Sequence, residues 1–132
     1  MTRHAEGSFQ VTSWNENPYL EIDDSRKLTR ASVTQSFDGD IEGEGSVEWV
    51  MCYRQDGTAD WMGFQRIVGR VGDRSGSVVL HTDGTFDGST ASGDWKVVEG
   101  SGTDELETLR GAGRMHSPMG STASFVLDYE ID

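Results

Sequence analysis

The sequence predicts an all-β protein, an eight-stranded antiparallel barrel built from a single domain of 132 residues. Short runs of alternating apolar and polar residues recur along the chain, which is typical of strands with one buried face. Seventeen glycines stand against two prolines, a balance that favours short segments joined by tight turns. A chain of this length buries one core rather than two, so we expect one domain, residues 1–132.

The alternating runs divide the chain into eight strands. In chain order they are Gly7 to Trp14, Thr29 to Phe37, Ile41 to Tyr53, Asp60 to Val71, Ser75 to Phe86, Ser89 to Val98, Gly111 to Ser117 and Ser121 to Ile131. One further stretch, Asp104 to Arg110, carries helical signals, because Asp104 can cap it and Glu107 follows three residues later. We expect this short helix to plug or flank the barrel.

Turn residues between the runs predict the register of the strands. Asp56-Gly57 and Asp87-Gly88 are typical of two-residue hairpin turns, whereas Asp38 to Asp40 and Gly72 to Arg74 indicate three-residue loops. Residues paired across a turn point to the same face. With the alternation of the last strand, the four hairpins predict this interior: Val33, Gln35, Phe37, Val47, Trp49, Met51, Tyr53, Met62, Phe64, Arg66, Val68, Val78, Leu80, Thr82, Phe86, Trp95, Val97, Ala123, Phe125, Leu127, Tyr129 and Ile131. His81, Asp94 and Lys96 are predicted to point outward.

The charge balance excludes two classes of partner. Asp and Glu number 23 against 11 Lys and Arg, a formal net charge of -12. Such a field repels phosphate backbones and anionic lipid headgroups, so we expect neither nucleic acid nor a membrane as partner. The acidic excess is interpreted as a solvated surface. A small apolar molecule is the expected partner, and a homo-oligomer remains open.

Cysteine usage and the first residues indicate a compartment. Cys52 is the only cysteine, so the chain forms no internal disulfide, which fits a reducing environment. The segment Met1 to Gly7 is polar and lacks the apolar run of a secretory signal. No run approaches membrane-spanning length. We therefore expect a cytoplasmic protein.

Six motifs together resemble one protein family. They are Gly7 to Trp14 (GSFQVTSW), Lys27 to Ala31 (KLTRA), Glu42 to Gly45 (EGEG), Tyr53 to Ala59 (YRQDGTA), Gly84 to Gly88 (GTFDG) and Leu127 to Tyr129 (LDY). In their order and spacing the whole chain resembles the DUF3224 family of bacterial proteins, whose function is unknown and whose fold is placed with the allene oxide cyclase-like barrels. The resemblance implies a barrel shaped like plant allene oxide cyclase, dirigent proteins and some polyketide cyclases. It implies no catalytic residues, and the histidines common in the family near the positions of Thr82 and Met119 are missing here.

Arg66 is the only ionic side chain that the predicted register places inside. An unpaired buried guanidinium is costly, so Arg66 needs a ligand with a carbonyl or anionic group, the Tyr53 hydroxyl, or water at the barrel mouth. We predict Arg66 and Tyr53 as catalytic candidates that would polarise a carbonyl. A one-residue bulge would instead turn Arg66 outward.

Aromatic and thioether side chains predict a lining suited to an apolar or planar ligand. The predicted ligand-binding residues are Gln35, Trp49, Met51, Met62, Phe64, Thr82 and Trp95. Ordinary core packing is the alternative, because the same side chains would fill an empty barrel equally well. The stretch Glu16 to Asp24 is predicted to be a long loop, either a lid over the barrel or a solvated connection.

Other chemistries have little support in the sequence. His4, His81 and His116 are scattered, so no metal site is expected. No nucleophile-elbow motif is present, and Cys52 shares the parity of the outer face. We expect neither a metal nor an organic cofactor.

Two functions remain open from the sequence. The first is a cyclase or isomerase of polyketide-like metabolism that folds an apolar, carbonyl-bearing substrate mainly by shape and orientation. The alternative is a noncatalytic binder or carrier of a small hydrophobic metabolite. A filled barrel interior would exclude both.

Overall fold

The computed structural model describes residues 1–132 as nine β-strands without a helix. In chain order the strands are β1 (Arg3–Glu21), β2 (Lys27–Gly39), β3 (Ile41–Tyr53), β4 (Ala59–Val71), β5 (Arg74–Phe86), β6 (Thr90–Val97), β7 (Thr103–Asp104), β8 (Arg110–Pro118) and β9 (Ala123–Glu130).

Eight of these strands form a closed antiparallel barrel. Their neighbours follow the order β4-β3-β2-β1-β9-β8-β6-β5, and pairing of β4 with β5 closes the cylinder. The short β7 pairs with β5 beside Gly76 and Ser77. The predicted all-β class and the eight-stranded antiparallel barrel are confirmed, and β3 has the predicted bounds.

The stretch between Asp104 and Arg110 contains no helix, contrary to the prediction. Asp104 adopts a positive φ of 54°, and consecutive turns follow, in which the Leu106 amide donates to the Thr103 carbonyl and the Leu109 amide donates to the Leu106 carbonyl. Leu106 and Leu109 are buried in the core. The segment therefore covers the barrel, as expected, but as turns anchored by two leucines.

The first strand is much longer than predicted and contains a bulge. Its pairing with β2 shifts register between Val11 and Ser13, so Thr12 is an extra residue. Before the bulge Phe9 lies opposite Phe37, and after it Glu16 lies opposite Ala31. The predicted loop from Glu16 to Asp24 is wrong over most of its length, because β1 continues to Glu21.

Only the lower half of β1 is paired on both sides. Its ladder with β9 ends where Phe9 meets Ala123, whereas its ladder with β2 continues to Glu21 and Lys27. The upper half of β1 is therefore attached to one neighbour and leaves the barrel wall open beside the turn between β8 and β9.

The predicted face of β4 is wrong, because two turns differ in length from the prediction. The turn after β3 is a three-residue loop: the Arg54 amide donates to the Thr58 carbonyl, and Gly57 has a φ of +87°. The turn after β4 has two residues, since Val71 pairs with Arg74. The longer turn before β4 shifts the register of this strand by one residue, which turns its side chains to the opposite face. The shorter turn after β4 shifts the register back by one residue, so β5 keeps its predicted face.

Reversal of β4 exchanges its two faces. Trp61, Gln65 and Ile67 are buried inside the barrel. The residues predicted inside that lie outside are Met62, Phe64, Arg66 and Val68. Apolar side chains occupy both faces of this strand, so its hydrophobic pattern does not determine which face is inside.

The remaining interior predictions are confirmed by burial. On β2, β3, β5, β6 and β9 the buried residues are Val33, Gln35, Phe37, Val47, Trp49, Met51, Val78, Leu80, Thr82, Trp95, Val97, Ala123, Phe125, Leu127 and Tyr129, while Tyr53, Phe86 and Ile131 are partly buried. The hairpin after β5 is shifted by two residues, so His81 pairs with Lys96 rather than Asp94. A shift of two preserves the faces, and Asp94 and Lys96 are exposed as predicted.

Candidate functional site

The barrel interior has a filled middle. Trp95 stacks on Phe125 with ring centroids 5.5 Å apart, and Phe37 packs against both rings. Between these aromatics and the wall, the side-chain amide of Gln65 donates a hydrogen bond to Gln35. Both glutamines are buried, and this mutual bond satisfies part of their polar capacity without water.

One end of the barrel holds an apolar cavity of about 230 Å³, which we call the mouth cavity. It lies at the end where β1, β3, β5 and β8 finish, and eleven of its twelve lining residues are hydrophobic. Its aromatic lining consists of Phe9, Trp14, Trp49, Tyr53, Trp61 and Phe86. Three methionines, Met51, Met115 and Met119, add flexible thioethers.

Three indoles form a row along the mouth cavity. The ring centroids of Trp14 and Trp49 are 5.6 Å apart, and those of Trp49 and Trp61 are 5.2 Å apart. The Trp61 ring lies over the two strands next to its own, where glycines leave room for it: Gly84 on β5 pairs with Trp61, Gly93 on β6 pairs with Gly84, and a Cβ added at either glycine would lie 2.5 Å from the ring. The bulge in β1 turns Trp14 toward this row, since Trp14 then pairs with the inward-facing Val33.

A carboxylate lies at the rim beside the row and is bound by three donors. Trp14 Nε1 donates to Glu16 Oε1 over 3.1 Å, and the hydroxyls of Thr29 and Tyr53 each donate to Glu16 Oε2 over 2.7 Å. We call these four residues the Glu16 cluster. It ties β1 to β2 and β3 at the open side of the barrel.

The Glu16 cluster shifts the pKa of two of its members in opposite directions. Partial burial raises the pKa of Glu16, but the hydrogen bonds from Thr29, Tyr53 and Trp14 together outweigh it, so the net pKa lies below the ordinary value. Burial and the hydrogen bond to Glu16 raise the pKa of Tyr53. At neutral pH the pair is therefore a carboxylate accepting from a neutral phenol.

The sequence-predicted site residues separate into three groups. Trp49, Met51 and Tyr53 line the mouth cavity together. Gln35, Thr82 and Trp95 are buried in the barrel below it and do not line it. Met62, Phe64 and Arg66 lie on the outer face, where an Arg66 Nη2 donates to the Ser77 hydroxyl over 3.2 Å. Because Arg66 points away from the interior, it cannot reach a carbonyl inside the barrel, as the predicted role requires.

Sequence reasoning missed several residues of the mouth cavity. Trp14 and Glu16 face inward because of the bulge at Thr12, which no sequence signal marks. Trp61 was missed because of the reversed face of β4. The concentration of tryptophan in the first half of the chain was the one available clue, since Trp14, Trp49 and Trp61 are three of the four tryptophans.

The structure brings together no group of three or more His, Cys, Asp or Glu side chains suited to a metal ion. It also contains no helix that could span a membrane.

The fold and the site define a closed eight-stranded antiparallel barrel with an apolar cavity at one mouth. The chain belongs to the DUF3224 family, described as a protein of unknown function, whose model matches residues 5–129. The crystal structure of a DUF3224-family protein of unknown function from Shewanella oneidensis MR-1 is similar to this chain, with a TM-score of 0.84 and 23% identity over 100% of this chain and 99% of that chain. At this identity the likeness shows the fold. No curated protein matches the chain significantly.

Proposed function

We propose that this barrel binds a small apolar molecule in the mouth cavity without transforming it. The observation that carries the proposal is the partly open mouth cavity, with a volume of about 230 Å³ and eleven hydrophobic lining residues out of twelve. An engineered apolar cavity of about 150 Å³ is sufficient for benzene, and drug-sized ligands use pockets from about 300 Å³ upward. The mouth cavity therefore fits a molecule of one or two rings.

The donors around the cavity favour binding over the cyclase or isomerase alternative. Arg66 lies outside the barrel, and the Tyr53 hydroxyl is committed to Glu16. Burial and this hydrogen bond raise the pKa of Tyr53, which makes it a weaker acid. No charged donor lines the cavity to polarise a substrate carbonyl.

Intrinsic fluorescence tests the proposal, because Trp14, Trp49 and Trp61 line the cavity. Naphthalene should quench or shift the emission of the wild-type protein in a saturable way. Ala91→Leu fills part of the cavity, since Ala91 belongs to its lining, and should abolish saturable binding. Ala112→Leu makes the same change on an exposed position of β8 and should leave binding intact. Unsaturable quenching, or equal quenching in both variants, would refute the proposal.

A further inference from the structure

We infer that the ligand of the mouth cavity is a hydrophobic organic cation, such as a quaternary ammonium or a protonated aromatic amine. The inference rests on the proposed function and specifies the chemistry of its ligand. It follows from three properties of the cavity: the aromatic rings that line it, the scarcity of solvent-accessible hydrogen-bond donors in its wall, and the carboxylate at its rim.

Aromatic rings make up much of the cavity wall. Trp14, Trp49 and Trp61 stand in one row, and Tyr53 lines the same space. The face of an aromatic ring carries negative electrostatic potential and attracts a cation within about 6 Å, most strongly for tryptophan. One such contact is already present beside the Glu16 cluster, because Lys27 Nζ lies 5.2 Å from the centroid of the Tyr53 ring.

The wall offers almost no donor for a neutral carbonyl or an anion. The indole nitrogens of Trp49 and Trp61 have no hydrogen-bond partner, but both atoms are inaccessible to solvent. The Tyr53 hydroxyl donates to Glu16, as does the Trp14 indole. Ser117 is the one polar lining residue outside these contacts. Recognition must therefore come from ring faces and long-range charge.

The charge beside the cavity is negative. Glu16 is ionised at neutral pH, and its three hydrogen-bond donors are neutral groups, so its charge is screened but not cancelled. Both Trp14 and Tyr53 connect it directly to the lining. Lys27 acts on Glu16 and offsets part of its charge, but it does not line the cavity. A molecular net charge of -12 adds a field of the same sign as Glu16.

A pair of ligands of equal shape tests the inference. Phenyltrimethylammonium and tert-butylbenzene differ by a cationic nitrogen in place of a carbon, and tryptophan fluorescence titration reports the affinity of each. The wild-type protein should bind the cation about tenfold more tightly. Glu16→Gln should reduce that preference, measured as the ratio of the two affinities in the same variant, severalfold. Glu44→Gln removes an exposed charge from the outer face of β3 and should change neither affinity.

The outcomes separate this inference from the proposed function. Equal affinity for the two ligands, or tighter binding of tert-butylbenzene, would overturn the cation preference and leave an apolar binding site. Binding of neither ligand would overturn both. If Glu16→Gln no longer binds tert-butylbenzene, the ratio of the two affinities is measured for the wild-type protein as a function of pH. Lys27 is the charged group that faces Glu16. A preference that falls as Glu16 is protonated supports its role, and a constant preference overturns it.

Discussion

The partly buried carboxylate of Glu16 accepts three hydrogen bonds. Its donors come from three strands, so the carboxylate positions the upper half of β1 against β2 and β3. Hydrogen bonds to an ionised acceptor are about twice as strong as those between neutral groups. The placement of Trp14 over the cavity therefore depends on the protonation state of this glutamate.

We predict that Glu16→Gln destabilises the protein at neutral pH and that the difference disappears in acid. The folded-state pKa of Glu16 is lowered, so its stabilising contribution is complete above the unfolded pKa of about 4.3 and is lost as the pH falls through the folded pKa. Urea midpoints of the two proteins between neutral and acid pH measure the difference. Glu44→Gln, at an exposed position, is the control. A difference that grows toward acid pH would contradict this assignment.

Among the elements, the turn between β3 and β4 determines which residues of β4 reach the interior. Its three-residue loop ends on Gly57 with a φ of +87°, and the Asp56 carboxylate accepts hydrogen bonds from the amide and the hydroxyl of Thr58. Because a loop one residue shorter would reverse every side chain of β4, this turn places Trp61 inside the barrel.

We predict that Gly57→Ala costs about 1 to 2 kcal/mol of unfolding free energy, because an L-residue is strained at positive φ. No atom lies within 4 Å of an added Cβ, so the cost is conformational rather than steric. Gly57→Asn should cost less, since asparagine tolerates this conformation. Urea denaturation measures both changes, and equal costs for the two variants would refute the explanation.

The strands show how far the sequence determines the fold and the site. Alternation predicted β3 to its bounds, and it placed Trp49, Met51 and Tyr53 correctly on the inner face. It failed for β4, where Trp61 is buried and Phe64 is exposed, because a glycine after an aspartate suits loops of two or three residues equally well. The inward positions of Trp14 and Glu16 depend on a bulge in the pairing of β1 with β2, which the alternation of β1 alone does not reveal.

At the scale of the whole molecule, repulsion among the acidic surface residues lowers the stability of the folded state. Net charge is -12, and the exposed ion pairs, such as Arg30 with Glu48 and Arg70 with Glu42, involve side chains in contact with water. Each exposed pair contributes at most about 1 kcal/mol. Repulsion among the unpaired acids therefore remains a destabilising term.

We predict that the melting temperature rises as NaCl increases from about 0.01 to 0.15 M, because the screening length falls from about 30 to 8 Å. Thermal unfolding followed by circular dichroism measures the shift, and an equal shift with KCl identifies screening as the cause. A melting temperature that falls over this range would show that the ion pairs outweigh the repulsion.

Because β1 is paired on both sides over only half of its length, closure of the barrel and coverage of the mouth cavity depend on different parts of this strand. Closure of the cylinder depends on the ladder from Arg3 to Phe9 against β9. The segment from Val11 to Glu21 borders the mouth cavity; its backbone pairs with β2 alone, and its side chains contact β3 through the Glu16–Tyr53 hydrogen bond and the packing of Trp14 on Trp49. Local opening breaks only the contacts of that segment and costs less than global unfolding. For the ligand proposed above, exchange would require only that this segment fray while the barrel stays closed.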